Sequence, residues 1–135
     1  VENGESFEKY RGAGETILLV EDEPTFIDYL EGALETYGYN LYTARNAKEA
    51  KKIFQEREED IDLLLSDVVM PDKDGVQLAD EIRAQSEGLK IILTSGYSDR
   101  KVNPSEIREK GYLFMQKPFG VLKILKLLRS ALAEN

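Results

Sequence analysis

Short apolar runs alternate with helix-like segments along most of this chain. The five runs are 16–20, 41–44, 61–67, 89–94 and 112–116. Each run is short and is followed by turn-forming or charged residues, so each is predicted to be a strand rather than a buried helix. Strands that alternate with helices in this way predict parallel pairing, right-handed crossovers and helices on both faces of one sheet.

Two strand orders fit this α/β pattern, namely the flavodoxin-like order 2-1-3-4-5 and one half of a Rossmann fold. We predict a flavodoxin-like (βα)5 doubly wound parallel sheet in the order 2-1-3-4-5. In that order the switch point lies between the first and third strands. Ligands of open α/β sheets bind there, beyond the carboxyl ends of the strands.

The helix starts carry recognisable signals. Pro24 suits the first turn of the first helix, and Asn46 with Glu49 three residues later has the form of a capping box. Asp74 is the predicted N-cap of the third helix.

Composition narrows the range of functions. The chain has 135 residues, a net charge of −8 and neither cysteine nor histidine. Disulfides, thiolate chemistry, Ser-His-Asp catalysis, His-ligated zinc and a phosphohistidine on this chain are therefore excluded. The negative charge argues against nucleic-acid binding by this segment, and no signal peptide or membrane-spanning run is evident. Residues 1–15 are predicted to be a linker or tail, and residues 16–135 one folded domain.

Acidic residues follow the first and third predicted strands. Glu21, Asp22 and Glu23 come after the first strand, and Asp67 ends the third. At the predicted switch point, Glu21, Asp22 and Asp67 converge, and three carboxylates together favour a hard divalent cation such as Mg²⁺. The alternative is an ordinary solvated acidic helix start. A nucleotide or flavin site is disfavoured, because the first loop has acids where a glycine-rich turn would be needed.

A hydroxyl and a lysine end the last two strands. Thr94 could donate to a phosphoryl oxygen, and Lys117 could pair with the same group. Taken singly, they could equally be a turn residue and a surface lysine. Taken with the acids, they predict phosphoryl transfer in which a carboxylate nucleophile forms an acyl phosphate.

Four motifs carry a family resemblance. They are Leu-Leu-Val-Glu-Asp-Glu-Pro at 18–24, Asp-Val-Val-Met-Pro-Asp-Lys-Asp-Gly at 67–75, Thr-Ser-Gly-Tyr at 94–97 and Lys-Pro-Phe at 117–119. Together they resemble the receiver domain of two-component signalling, the phospho-acceptor module of response regulators and hybrid histidine kinases. The resemblance covers residues 16–133 in the family's order and spacing.

The resemblance implies a role for each matching residue. Asp67 matches the phosphorylated aspartate, Asp22 the direct Mg²⁺ ligand, Glu21 an acid that acts through water, and Val69 a residue whose backbone carbonyl binds the metal. Thr94 matches the switch hydroxyl, Lys117 the phosphate-pairing lysine and Phe114 the switch aromatic. Tyr97 is a second aromatic residue near the same face. Phe114 lacks the hydroxyl of the tyrosine that is frequent at its position. Mg²⁺ is the only cofactor implied.

The resemblance also implies partners. A histidine kinase or phosphotransfer domain carrying phosphohistidine would donate to Asp67. The face made of the fourth helix, fifth strand and fifth helix would report the change and could form a homodimer. No direct contact with nucleic acid or membrane is expected. Such a domain is a signalling module that catalyses its own phosphorylation and dephosphorylation, and we expect a cytoplasmic location.

This domain could belong to either of two kinds of protein. We predict a hybrid sensor histidine kinase, which could itself be anchored in a membrane, and a stand-alone regulator is the other option. Two other functions are alternatives: a phosphatase with an aspartyl nucleophile, and a flavodoxin-like cofactor binder. The phosphatase usually has a second acid two residues after the nucleophile, where this chain has Val69.

Overall fold

A single parallel sheet organises the part of the chain that the structure describes. The structure is a computed structural model that describes residues 6–96 and 102–133. The sheet has the order β2-β1-β3-β4-β5, which confirms the predicted flavodoxin-like topology. Its strands are β1 Thr16–Val20, β2 Asn40–Ala44, β3 Leu63–Asp67, β4 Lys90–Ser95 and β5 Leu113–Gln116. The helices are α1 Pro24–Thr36, α2 Ala47–Arg57, α3 Gly75–Gln85, α4 Pro104–Glu109 and α5 Val121–Ala133.

Strand ends differ from the predicted bounds by one or two residues. β3 begins at Leu63 rather than at 61, because a short 3-10 helix over Glu58–Asp60 precedes it and the Ile61 N–H bonds back to the Glu58 carbonyl. β4 extends to Ser95, which pairs with Gln116 of β5. Hydrogen bonding to the neighbouring strand determines where each strand ends, and the apolar character of the sequence does not show which residues are paired.

The central strand is buried on both faces. All five residues of β3 are buried, as expected for a parallel strand covered by helices on each side. Leu64 belongs to the core cluster under α2 and α3, whereas Leu63 and Leu65 belong to the cluster under α1 and α5. The strand therefore cannot slip by one residue without exchanging its two faces.

Side-chain caps determine where the helices begin. Asn46 accepts a hydrogen bond from the Glu49 N–H, and Asp74 accepts one from the Val76 N–H, which confirms both predicted caps. Glu23 caps α1 by accepting from the N–H groups of Thr25 and Phe26. Among the helices in the described residues, none has the length and apolarity needed to cross a bilayer.

The segment before β1 packs against the domain from its first described residues. Phe7–Tyr10 forms a 3-10 helix beside α5. Farther along, the Gly12 N–H donates to the Tyr37 carbonyl at 2.7 Å, and Glu15 pairs with Arg129 of α5 at 2.9 Å. Its role as a linker in a longer protein stays a prediction.

Replacing Gly32 by alanine is expected to stabilise the fold by about 0.5–1 kcal/mol, because glycine inside a helix costs backbone entropy. Gly32 lies within α1, and a Cβ there would have no other atom within 4 Å. Urea denaturation should show a higher midpoint. Gly38→Ala is the control with the opposite sign, since Gly38 has φ +94° and a Cβ there would lie 2.6 Å from the Gly12 carbonyl oxygen. A lower midpoint for Gly32→Ala would contradict the prediction.

Candidate functional site

Three acids meet at the carboxyl edge of the sheet. β1 and β3 pair in parallel with Val20 opposite Ser66, so Glu21 and Asp67 leave adjacent strands at the same level. One carboxylate oxygen from each of Glu21, Asp22 and Asp67 lies within 4.8 Å of the others. Glu21 and Asp67 are 1% and 6% exposed, whereas Asp22 faces solvent. The predicted convergence of these acids is therefore present in the structure.

Lys117 follows β5, the edge strand, and its side chain reaches the acids at the end of β1 and β3. Its Nζ lies 2.8 Å from Glu21 Oε1 and 3.1 Å from Asp67 Oδ2. The Lys117 N–H donates to the Ser95 carbonyl at 2.8 Å, which holds the residue at the end of β4. The Lys117–Pro118 peptide bond is cis. Lys117 is thus part of the cluster and does not point away into solvent.

The electrostatics of the cluster follow from burial and from this shared lysine. Burial raises the pKa of the Glu21 carboxyl, and its contact with Lys117 offsets only part of that effect. Burial opposes the charge on Lys117, but its hydrogen bond to Glu21 and its attraction to Asp67 outweigh burial and raise the pKa of the ammonium. Lys117 is therefore charged at neutral pH. One ammonium still does not balance three acids when all are ionised.

The donor set suits a small hard cation. Its carboxylates supply oxygen only, and oxygen ligands are those that Mg²⁺ prefers. One acid is open to solvent, which leaves room for the waters or phosphoryl oxygens that Mg²⁺ keeps in its coordination shell. The residues present therefore fit Mg²⁺ at this edge.

The loop after Asp67 lies directly against its side chain. The Val69 N–H donates to Asp67 Oδ1 at 3.2 Å, and Val69 itself is 49% exposed. The two carboxylate oxygens therefore have different neighbours, with Oδ1 facing the loop and Oδ2 facing Lys117.

Thr94 lies next to the acids, and Phe114 lies farther away. Thr94 is in register with Asp67 and is 3% exposed, and its carbonyl accepts from the Val68 N–H at 2.8 Å.

Phe114 lies in β5, opposite Leu93 of β4, and packs against the core cluster under α2 and α3. Its ring centroid is 5.7 Å from the guanidinium carbon of Arg108 in α4. Tyr97 lies outside the described residues.

Two residues at this site escaped the sequence analysis. Gly75 contacts the strand end so closely that a Cβ would lie 2.2 Å from the Asp67 carbonyl oxygen. The face of the Phe26 ring lies 4.7 Å from Lys117 Nζ, although the helical pattern indicates only a core position for Phe26. A glycine directly after the cap Asp74 is a weak signal of close packing, and the sequence holds no comparable signal for Phe26.

Comparison with known proteins gives this arrangement a family. The family model for the response regulator receiver domain matches residues 17–129. The chain belongs to this family. The receiver domain is therefore a module of two-component signalling, as the motifs indicated, and the family match favours this assignment over a phosphatase or a flavin protein.

Relatives of different sizes resemble this receiver domain. It is 35% identical over 103 residues to the response regulator receiver protein CpdR of Brucella abortus (strain 2308), covering 76% of this chain and 84% of CpdR. It is 32% identical over 120 residues to the sensor kinase CckA of the same strain, covering 89% of this chain but only 13% of the kinase. A crystal structure of a receiver domain protein from Clostridium thermocellum superposes with a TM-score of 0.82 at 25% identity, covering 88% of this chain and 94% of that one.

Proposed function

We propose that this receiver domain accepts a phosphoryl group on Asp67 in a Mg²⁺-dependent reaction. The donor is a phosphohistidine on a partner histidine kinase or phosphotransfer domain. The supporting observation is the shared lysine: Lys117 contacts both Asp67 and Glu21 inside a cluster of three acids. A buried carboxylate beside a fixed ammonium and a cation-type donor set is what an aspartyl nucleophile in phosphoryl transfer requires.

The residues divide the work as follows. Asp22, Asp67 and the Val69 backbone carbonyl would hold Mg²⁺, with Glu21 acting through a water. When bound, the ion would neutralise charge on the phosphoryl oxygens. An Asp67 carboxylate oxygen attacks phosphorus, the phosphorus–nitrogen bond of the donor breaks, and its electron pair stays on the imidazole. Lys117, 3.1 Å from Asp67 in the resting protein, then pairs with the transferred group.

The acyl phosphate is also the starting point for its own loss. Attack of water on phosphorus would return Asp67 to the carboxylate and release inorganic phosphate. We propose that the domain catalyses both steps with the same residues. It is therefore a self-resetting signalling module and not an enzyme that turns over an external substrate.

The proposed switch runs from Thr94 to the α4–β5–α5 face. Thr94 is in register with Asp67, so its hydroxyl would follow a phosphoryl group placed there. Phe114 connects β5 to Arg108 of α4, so a change of its rotamer would alter the contact between these two elements. If the phosphorylated site stabilises one conformation over the other by a few kcal/mol, that difference would suffice to shift the populations of the two conformations. A homodimer through this face is part of the proposal.

The parent protein is proposed to be a hybrid sensor kinase, which could be anchored in a membrane, with this domain in the cytoplasm. The similarity to the sensor kinase CckA over 89% of this chain supports this proposal. The similarity to CpdR, 84% of which the match covers, supports the alternative of a stand-alone regulator.

Wild-type protein incubated with Mg²⁺ and acetyl phosphate is expected to gain one phosphoryl group, detected by intact mass. The same mixture with excess chelator should label at least about tenfold more slowly, because the loss of a metal that stabilises charge in the transition state costs several kcal/mol. Failure to gain a phosphoryl group with Mg²⁺ present, or equal rates with and without the metal, would contradict the proposal.

A further inference from the structure

The ring of Phe26 lies against the lysine of the proposed site. Lys117 Nζ is 4.7 Å from the centre of this ring. Phe26 is the third residue of α1, and the Glu23 side chain fixes its position by accepting a hydrogen bond from the Phe26 N–H at 3.0 Å. The loop after β1 therefore delivers two of the acids and, one turn later, an aromatic face.

Two other aromatic residues hold the ring in place. Phe26 and Phe119 pack edge to face, with ring centres 5.5 Å apart at 80°. Phe26 also stacks on Tyr29 at 5.9 Å, and the Tyr29 hydroxyl donates to the Phe119 carbonyl at 3.2 Å. Because Phe119 follows Lys117 and Pro118, these contacts tie α1 to the turn that carries the lysine.

The negative face of an aromatic ring attracts an ammonium without accepting one of its conventional hydrogen bonds. In the resting protein, Lys117 is shared between Glu21 and Asp67. Phosphorylation of Asp67 would require the ammonium to exchange a carboxylate for a phosphoryl oxygen. A ring can support the cation through that exchange, since it attracts the charge but leaves the three N–H donors available.

We propose that Phe26 is a positioning residue for Lys117, whose ammonium its ring holds within reach of the phosphoryl group. This inference rests on the proposed function. A leucine in place of Phe26 would still fill apolar space beside Phe119 but would lack the negative face. A tyrosine would keep that face.

The test compares phosphorylation rates of four proteins with Mg²⁺ and acetyl phosphate, measured by intact mass. Phe26→Leu is expected to be about fivefold slower than wild type, as the strength of a partly buried cation–π contact implies. Phe26→Tyr should stay within about twofold of wild type on the same scale. Phe7→Leu is the matched control, because Phe7 pairs with Tyr37 and the same substitution there removes a half-buried ring outside the acid cluster. Its rate should be that of wild type.

Rates are compared at a temperature at which circular dichroism shows every variant to be folded, and Phe26→Met replaces Phe26→Leu if the latter does not fold. A Phe26→Tyr rate as low as that of Phe26→Leu, or both variants at the wild-type rate, would mean that the face of the ring does not act on Lys117. If wild-type protein is labelled, either result overturns the positioning role of Phe26 but not the proposed function. An unlabelled wild type overturns the proposed function, and the positioning role with it.

Discussion

Replacing Asp67 by asparagine is expected to abolish the uptake of a phosphoryl group from acetyl phosphate. The amide has nearly the same shape as the carboxylate but cannot act as the anionic nucleophile that forms the acyl phosphate. It would also remove one oxygen anion from the cluster with Glu21 and Asp22. Intact mass after incubation with Mg²⁺ should show only the unmodified variant, while wild type shows one added phosphoryl group.

Asp62→Asn is the matched control for this experiment. Asp62 is exposed and lies just before β3, at the opposite end from Asp67, where its side chain accepts from the Thr16 N–H at 2.9 Å. The same chemical change there should leave labelling intact, because an amide oxygen can accept that bond as well. A phosphorylated Asp67→Asn protein would show that the nucleophile is another residue and would refute the assignment.

Replacing Gly75 by alanine is expected to destabilise the domain by about 2–4 kcal/mol, as overpacking against a rigid backbone does. A Cβ there would lie 2.2 Å from the Asp67 carbonyl oxygen and 2.8 Å from the Val68 Cα. These neighbours are backbone atoms of the last residue of β3 and of the residue after it, so no side chain can move aside. Urea denaturation should show the loss as a lower midpoint with an unchanged slope.

The Gly75→Ala substitution should also slow the phosphorylation of Asp67. The Gly75 N–H donates to the Val68 carbonyl at 2.7 Å, so moving α3 away from the strand end would move the backbone of Asp67 and Val68. The phosphorylation rate of the folded fraction should therefore fall as well. Gly88→Ala is the control, since a Cβ at Gly88 would have no atom within 4 Å, and its stability should change by less than about 0.5 kcal/mol. Equal stability of Gly75→Ala and wild type would contradict this account.

The sequence was most informative where a local pattern has one structural solution. The leucines at 63–65 and the isoleucines at 91–92 are apolar on both faces, which suits only strands covered by helices on each side. Asn46 and Asp74 could be predicted as caps because a short polar side chain before a helix satisfies N–H groups within three residues. Such signals need no knowledge of distant parts of the chain.

The position of Lys117 is a different case. From local sequence, a lysine near a turn is more often a surface residue, and its place at the end of the fifth predicted strand, together with the family resemblance, predicted that it joins the acids. In the structure its Nζ reaches Glu21, which is 96 positions away in the chain. The Phe26 ring beneath it had no local signal either, because a ring on the inward face of a helix has the same sequence pattern whether it covers a core or a cation.

Sequence alone determined the alternation of strands and helices, the class of the fold and the residue types that end each strand, because hydrophobic periodicity and capping act over a few neighbouring residues. Tertiary structure decided the distances between the side chains at the strand ends, the approach of Gly75 to the Asp67 backbone and the sharing of Lys117 between two buried acids. These contacts depend on strand pairing and helix packing between segments far apart in the chain, and no local pattern encodes the distances between them.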